Sequence, residues 1–133
     1  MQNTIAAATT ALRIFLVEDS PAVLQRLEAL LASVDGTRNV GHASGAQEAI
    51  DGILAERPDM VMLDLKLADG SGFDVLRAVH EAAPGIDVYM LTNFASEPYR
   101  RLAERLGARD FFDKTTEFER VRETILCRAA EMH

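Results

Sequence analysis

Three carboxylates and one ammonium stand at the ends of separate apolar runs. Asp64 closes Met60-Val61-Met62-Leu63, Glu18 and Asp19 close an earlier run, and Lys114 ends a later one. Brought to one sheet edge, these groups would make a divalent-metal site built around a phosphoryl acceptor. Acidic groups crowded in one cleft repel each other unless a cation sits among them, and an oxygen-only ligand set suits Mg²⁺ with several retained waters. An aspartate carboxylate can serve as a nucleophile toward phosphorus. A metal and an ammonium would then neutralise charge on the transferring phosphoryl group, and Lys114 fits the ammonium's part. Thr92, ending a further apolar run, adds a hydroxyl.

The elements that must position these residues are legible from apolar spacing. Short apolar runs alternate with amphipathic segments, the pattern of βαβ units around a parallel sheet. The strand candidates are Leu12 to Glu18, Arg38 to Ala43, Met60 to Asp64, Asp87 to Thr92 and Asp110 to Asp113. The first, third and fourth are apolar enough to be covered on both faces, which makes them central. Helical stripes follow each strand: Val23, Leu27, Leu30, Leu31 and Val34; Ala46, Ala49, Ile50 and Ile53; Phe73, Leu76, Val79 and Ala83; Tyr99, Leu102, Ala103 and Leu106; Phe118, Val121, Ile125 and Ala129. Ser20 before Pro21 reads as an N-cap with proline at the first helical position. Ser44 with Gln47 and Thr116 with Glu119 match capping boxes, while Pro84-Gly85 and Gly107 read as stops. In an open parallel sheet ligands bind beyond the carboxyl ends of the strands, where the candidate residues fall.

Composition bounds the function classes. A chain of 133 residues with 48% hydrophobic and 26% charged residues predicts one globular domain without a membrane span or signal peptide, hence a cytoplasmic protein. Residues 1–11 read as a flexible tail, residues 12–131 as the domain, and no output domain is expected. The net charge of -7 argues against nucleic-acid binding, and Arg100, Arg101 and Arg105 beside Glu97 and Glu104 read as a solvated mixed-charge face. Cys127 sits among helical apolar positions and reads as a buried or half-buried thiol. His42, His80 and His133 have no ligand spacing and receive no role.

The segments FLVEDSP, VMLDLKLADGSGFDVL, MLTN and FFDK resemble the signature segments of a response regulator receiver domain, and the match covers nearly the whole chain after Leu12. The resemblance implies a flavodoxin-like, doubly wound five-stranded parallel sheet of order 2-1-3-4-5 with five helices. It further implies a phosphorylation-controlled switch in a two-component or phosphorelay pathway. Asp64 would accept a phosphoryl group from the phosphohistidine of a histidine kinase or histidine phosphotransfer protein. Asp19 and Asp64 would ligate Mg²⁺ directly, Glu18 through water, and Lys66 through its backbone carbonyl. Thr92 would swing onto the phosphoryl oxygens, Lys114 would pair with another of them, and Phe111 matches the switch aromatic. Such a chain would be a phosphoacceptor rather than an enzyme acting on other substrates. It would signal to a downstream protein, or pair with itself, through the face made by the fourth helix, fifth strand and fifth helix. The first helix would dock the donor.

Several residues depart from the family pattern. Thr115 follows Lys114 where proline, often cis, is usual; a cis bond to threonine would cost about 3 kcal/mol, so a trans bond and an altered loop are expected. Ala68 replaces a loop proline and is expected to loosen that loop. Asn93 and Phe94 are expected to crowd the phosphoryl site, and Lys66 and Phe94 to tune its rates; an apolar ring cannot orient an attacking water, so slow hydrolysis of the acyl phosphate follows. Thr92 and Phe111 each also have a passive reading that is weighed below the functional one: Thr92 as a strand-end residue satisfying the backbone, and Phe111 as core. Two rival functions share features with this pattern. One is a phosphorylation-independent docking module on the same fold; the other is an aspartate-nucleophile phosphatase, which needs a second acid where Lys66 stands.

Overall fold

The computed structural model describes residues 11–132. The tail expected over residues 1–11 lies, apart from Ala11, outside the described residues, as does His133. Twelve elements follow in order: β1 (Leu12–Val17), α1 (Pro21–Ala32), β2 (Thr37–Ala43), α2 (Ala46–Glu56), β3 (Met60–Leu63), β4 (Lys66–Leu67), β5 (Gly70–Ser71), α3 (Gly72–Ala82), β6 (Asp87–Thr92), α4 (Glu97–Arg105), β7 (Asp110–Asp113) and α5 (Phe118–Glu131). The five-stranded sheet has the order β2-β1-β3-β6-β7 with every pairing parallel. This is the expected 2-1-3-4-5 order once the small antiparallel hairpin β4-β5 is left out of the count. That hairpin leaves no signal in the sequence, because two-residue strands carry no periodicity. Among the described residues no helix is long and apolar enough to cross a membrane.

Strand alternation divides the core between the two faces of the sheet. Phe15, Val17, Val61, Leu63, Val88, Met90 and Phe111 face α2 and α3, meeting Ala49, Ile53, Val75, Leu76 and Val79. Leu16, Met60, Met62, Tyr89, Leu91 and Phe112 face α1 and α5, meeting Leu27, Leu31, Val121 and Ile125. β3 is buried at every position and β1 and β6 at all but one, as expected for central strands.

Helix starts differ in how they are satisfied. Ser20 caps α1, its side chain accepting the Val23 N–H with Pro21 in the first turn, as expected. The two expected capping boxes do not form. α2 starts at Ala46 with Gly45 as N-cap, and its donor is met from elsewhere: Asp69, at the turn of the β4-β5 hairpin, accepts the Ala46 N–H at 2.5 Å. α5 starts at Phe118 after Glu117, with no side-chain cap. Cys127 is exposed rather than buried, because it lies off the stripe formed by Val121, Ile125 and Ala129.

The strand ends are held where they are partly by one missing side chain. Gly72 opens α3, donates to the Leu65 carbonyl at 2.6 Å, and lies so close to the end of β3 that a Cβ there would stand 2.2 Å from the Asp64 carbonyl oxygen. That neighbour is backbone, so it cannot rotate away. Gly72→Ala should therefore lower the unfolding free energy by about 1–3 kcal/mol, measured by urea denaturation. A variant as stable as wild type would show that the contact relaxes freely.

Candidate functional site

Parallel register brings the strand ends level: Val17 pairs with Leu63, and Leu63 with Met90. The ladder continues one residue past each strand, since the Glu18 N–H donates to the Ala43 carbonyl at 2.9 Å and the Asp64 N–H to the Val17 carbonyl at 3.0 Å. The two carboxylates thus leave the sheet side by side. At the neighbouring strands Thr92 pairs with Asp113, and the Lys114 N–H donates to the Thr92 carbonyl at 3.0 Å, which fixes the backbone from which Lys114 reaches inward.

The Lys114 ammonium joins both carboxylates, with Nζ 2.7 Å from Asp64 Oδ2 and 2.8 Å from Glu18 Oε1. Their other oxygens accept backbone donors: Asp64 Oδ1 from Leu65 N–H at 2.7 Å, and Glu18 Oε2 from Ser20 N–H at 3.1 Å. Glu18 and Asp64 are buried while Asp19 is exposed. One carboxylate oxygen from each of the three lies within 4.8 Å of the others. A single ammonium leaves most of that negative charge uncompensated, so a hard divalent cation fits this donor set.

Protonation follows the burial. Burial lifts the Glu18 carboxyl above its usual value; the hydrogen bond from Lys114 opposes the shift and the charge on Asp64 adds to it. Burial also works against the Lys114 ammonium, but the hydrogen bonds to Asp64 and Glu18 outweigh it and hold Lys114 above the ordinary lysine value. Lys114 is therefore charged at neutral pH.

The other expected site residues lie around this centre. Thr92 is fully buried, and its Oγ1 accepts the Phe94 N–H at 3.1 Å. Asn93 and Phe94 are both exposed, Phe94 at 47%. Lys66 is exposed and opens β4, paired with Ser71; its Nζ stands 5.9 Å from the centre of the Phe94 ring. Phe94 also lines an aromatic groove of about 500 Å³ with Leu65, Lys66, Phe73, Tyr99 and Leu102. Phe111 is buried against the α2 and α3 side of the sheet. Among the described residues no peptide bond is cis, so Lys114–Thr115 is trans, as expected. The loop with Ala68 is not left loose, since the Ala68 N–H donates to the Ser44 carbonyl at 3.2 Å. One reading is corrected: Arg100 is not part of a solvated face but is half-buried and bonded to the Phe111 carbonyl and to Glu117. Nothing in its local sequence distinguishes it from Arg101, because its partners lie on the next strand and helix.

Residues 14–126 match the model of the response regulator receiver domain. The chain is 34% identical over 110 residues to the regulatory protein LuxO of Vibrio cholerae, covering 83% of this chain and 24% of that protein. It is 31% identical over 122 residues to protein-glutamate methylesterase/protein-glutamine glutaminase 3 of Geobacter sulfurreducens, covering 92% of this chain and 32% of that protein. Among solved structures it is similar to the signal receiver domain of a putative LuxO repressor from Vibrio parahaemolyticus, with a TM-score of 0.81, 25% identity and 92% of each chain covered. A CheY-like receiver domain protein from Methanospirillum hungatei gives a TM-score of 0.80 at 26% identity, covering 92% of this chain and 96% of that one. The chain thus spans about a quarter to a third of the length of these curated relatives.

The raised Glu18 value sets a direction for stability. A carboxyl whose folded value lies above its unfolded value of 4.5 binds its proton more tightly when folded, so stability is lost as pH rises from there through the folded value. In metal-free protein, the melting temperature of wild type relative to Glu18→Gln should fall as pH rises above 4.5. Saturating Mg²⁺ should reverse that fall. A relative gain with rising pH in the absence of metal would contradict this balance.

Proposed function

This chain belongs to the response regulator receiver family of two-component signalling, and we propose that Asp64 is its phosphoacceptor, taking a phosphoryl group from the phosphohistidine of a kinase or phosphotransfer protein. The observation that carries the reading is the buried Asp64 carboxylate, held by Lys114 and joined within 4.8 Å by Glu18 and Asp19. In the transfer an Asp64 carboxylate oxygen bonds to phosphorus as the P–N bond breaks, and the electron pair leaves with the donor's imidazole nitrogen. Asp19 and Asp64, with Glu18 through water and the Lys66 carbonyl, would hold Mg²⁺, which when bound offsets charge on the transferring group.

The chain's own residues supply the rest. Lys114 exchanges Asp64 Oδ2 for a phosphoryl oxygen while its contact with Glu18 keeps it in place. Thr92 turns its hydroxyl toward the phosphoryl group and so releases the Phe94 N–H it now holds. Phe111 has no hydroxyl to signal with, so its response is a change in packing. The modified state is read on the face formed by α4, β7 and α5, by a protein target or a second copy, while the donor docks at α1. This reading puts the domain, residues 12–131, in the cytoplasm with its donor.

Intact-mass measurement after incubation with a small-molecule phosphodonor and Mg²⁺ tests the assignment. One phosphoryl group should add to wild type, and none to Asp64→Asn or to wild type in EDTA. A folded wild type that binds Mg²⁺ and gains nothing would favour a phosphorylation-independent docking module.

The Phe94 ring, exposed beside Lys66, cannot hydrogen-bond an attacking water. Phe94→Glu should therefore lose phosphate faster than wild type at equal Mg²⁺, by roughly the tenfold or more that a positioned polar side chain contributes. Faster loss from wild type would sink this rate assignment.

A further inference from the structure

α4 has little apolar footing. Its sequence is Glu-Pro-Tyr-Arg-Arg-Leu-Ala-Glu-Arg, and only Ala103 is buried. Tyr99 is 41% exposed, Leu102 is half-buried, and the N-cap Ser96 makes no side-chain cap bond. Most protein helices owe their stability to an apolar face packed on the core, and here that face is thin: beside Ala103, Leu106 packs on the core from the C-cap and Tyr99 meets Phe73 edge-on at 5.9 Å. A polar attachment adds to it. Arg100 Nη1 donates to the Phe111 carbonyl at 3.0 Å, Nη2 donates to Glu117 Oε1 at 2.9 Å, and the guanidinium stands 5.0 Å from the Phe111 ring centre.

The acceptor is itself fixed. Glu117 Oε1 also accepts the Asp113 N–H at 2.9 Å, and Oε2 accepts from Arg120 Nη1 at 2.8 Å; the other Arg120 nitrogen reaches Asp110 Oδ2 at 3.3 Å. The hydrogen bond from Arg100 leads the causes that hold the Glu117 carboxyl down to about 2, so Glu117 stays ionised across the physiological range. One guanidinium therefore ties together a helix, a strand and the start of the next helix. Such charge-assisted, forked bonds are directional, so they fix orientation as well as distance.

We propose that Arg100 is a positioning residue that latches α4 onto β7 and α5, and that this latch holds the signalling face in its resting arrangement. The link from β6 to α4 then has two tethers. Thr92 holds the Phe94 N–H at the site end, and Arg100 holds the helix at the far end. Turning the Thr92 hydroxyl frees the first and leaves Arg100 as the restraint that movement of α4 must overcome. Weakening the latch populates the moved arrangement before phosphorylation. The moved arrangement is the one that reacts with the donor, so the labelling rate scales with its population. The functional half of this inference rests on the phosphoacceptor reading above; the structural half does not.

The test separates the two halves. Amide hydrogen exchange is followed on the full chain in the Asp64→Asn background, where no phosphorylation at that position can occur, comparing Arg100 with Arg100→Ala and Glu117 with Glu117→Gln. Exchange across residues 97–105 should rise about tenfold or more, the effect of losing one charge-assisted hydrogen bond, while α1 and α2 stay unchanged. Glu117→Gln keeps Arg100 over Phe111, so it stands if Arg100→Ala fails to fold. In the Asp64 protein, the same changes should raise the rate of labelling by a small-molecule phosphodonor several-fold, with Arg100→Lys intermediate. Unchanged exchange over residues 97–105 overturns the latch. Faster exchange with unchanged or slower labelling leaves Arg100 a structural residue only and overturns the positioning role. If wild type itself takes no label, the phosphoacceptor reading fails while the exchange measurement still decides whether the latch exists.

Discussion

Everything at this sheet edge turns on one buried ammonium shared by two buried carboxylates. Lys114 lies 2.7 Å from Asp64 and 2.8 Å from Glu18, and the three side chains are at most 9% exposed. Taking such charges out of water is expensive, and their attraction offsets the cost only when geometry is good and the remaining lone pairs are satisfied. Both conditions hold in the geometry, since Leu65 and Ser20 supply backbone donors to the two spare oxygens, yet at Glu18 burial still outweighs them. The arrangement is still short of positive charge. A divalent cation would supply it.

Placing three charges this closely requires a rigid frame, and the parallel sheet provides one at little cost. Continuation of the ladder past Val17 and Leu63 sets Glu18 and Asp64 side by side without any special loop. Lys114 is set by the same means, through the Thr92 carbonyl. Thr92 therefore has two couplings: its backbone positions the lysine, and its hydroxyl holds the loop toward α4. Thr92 is thus bonded both to the lysine of the acidic cluster and to the loop leading to α4.

The fold was legible because its signals are periodic. Five apolar runs and five stripes gave the strands, helices and central positions, and the reactive residues were visible as polar interruptions at run ends. What stayed hidden depends on contacts distant in sequence. Asp69 satisfies Ala46 across 23 positions and Arg100 meets Glu117 across 17, so neither pairing leaves a local pattern. The two capping boxes failed for a related reason. Ser44 does have its N–H met, but by Glu48 rather than Gln47, and the start of α2 takes its acceptor from the hairpin. The requirement that Gly72 meets, the approach of α3 to the Asp64 carbonyl, is likewise a contact that no local pattern announces.

The two missing prolines are where sequence reasoning and structure differ most usefully. Proline stiffens a loop by fixing φ, yet it removes a donor. At both positions this chain uses the donor that proline would lack. The Ala68 N–H bonds to the Ser44 carbonyl at 3.2 Å, and the Thr115 N–H bonds to Asp113 Oδ1 at 2.8 Å. The first ties the hairpin loop to the start of α2, alongside the Asp69 bond to Ala46. The second closes the turn after β7 around a trans Lys114–Thr115 bond. Restraint by covalent geometry has been exchanged for restraint by hydrogen bonds. Such bonds can open and re-form within the folded state, whereas a fixed φ cannot, so both loops flanking Asp64 and Lys114 are held in place without being locked.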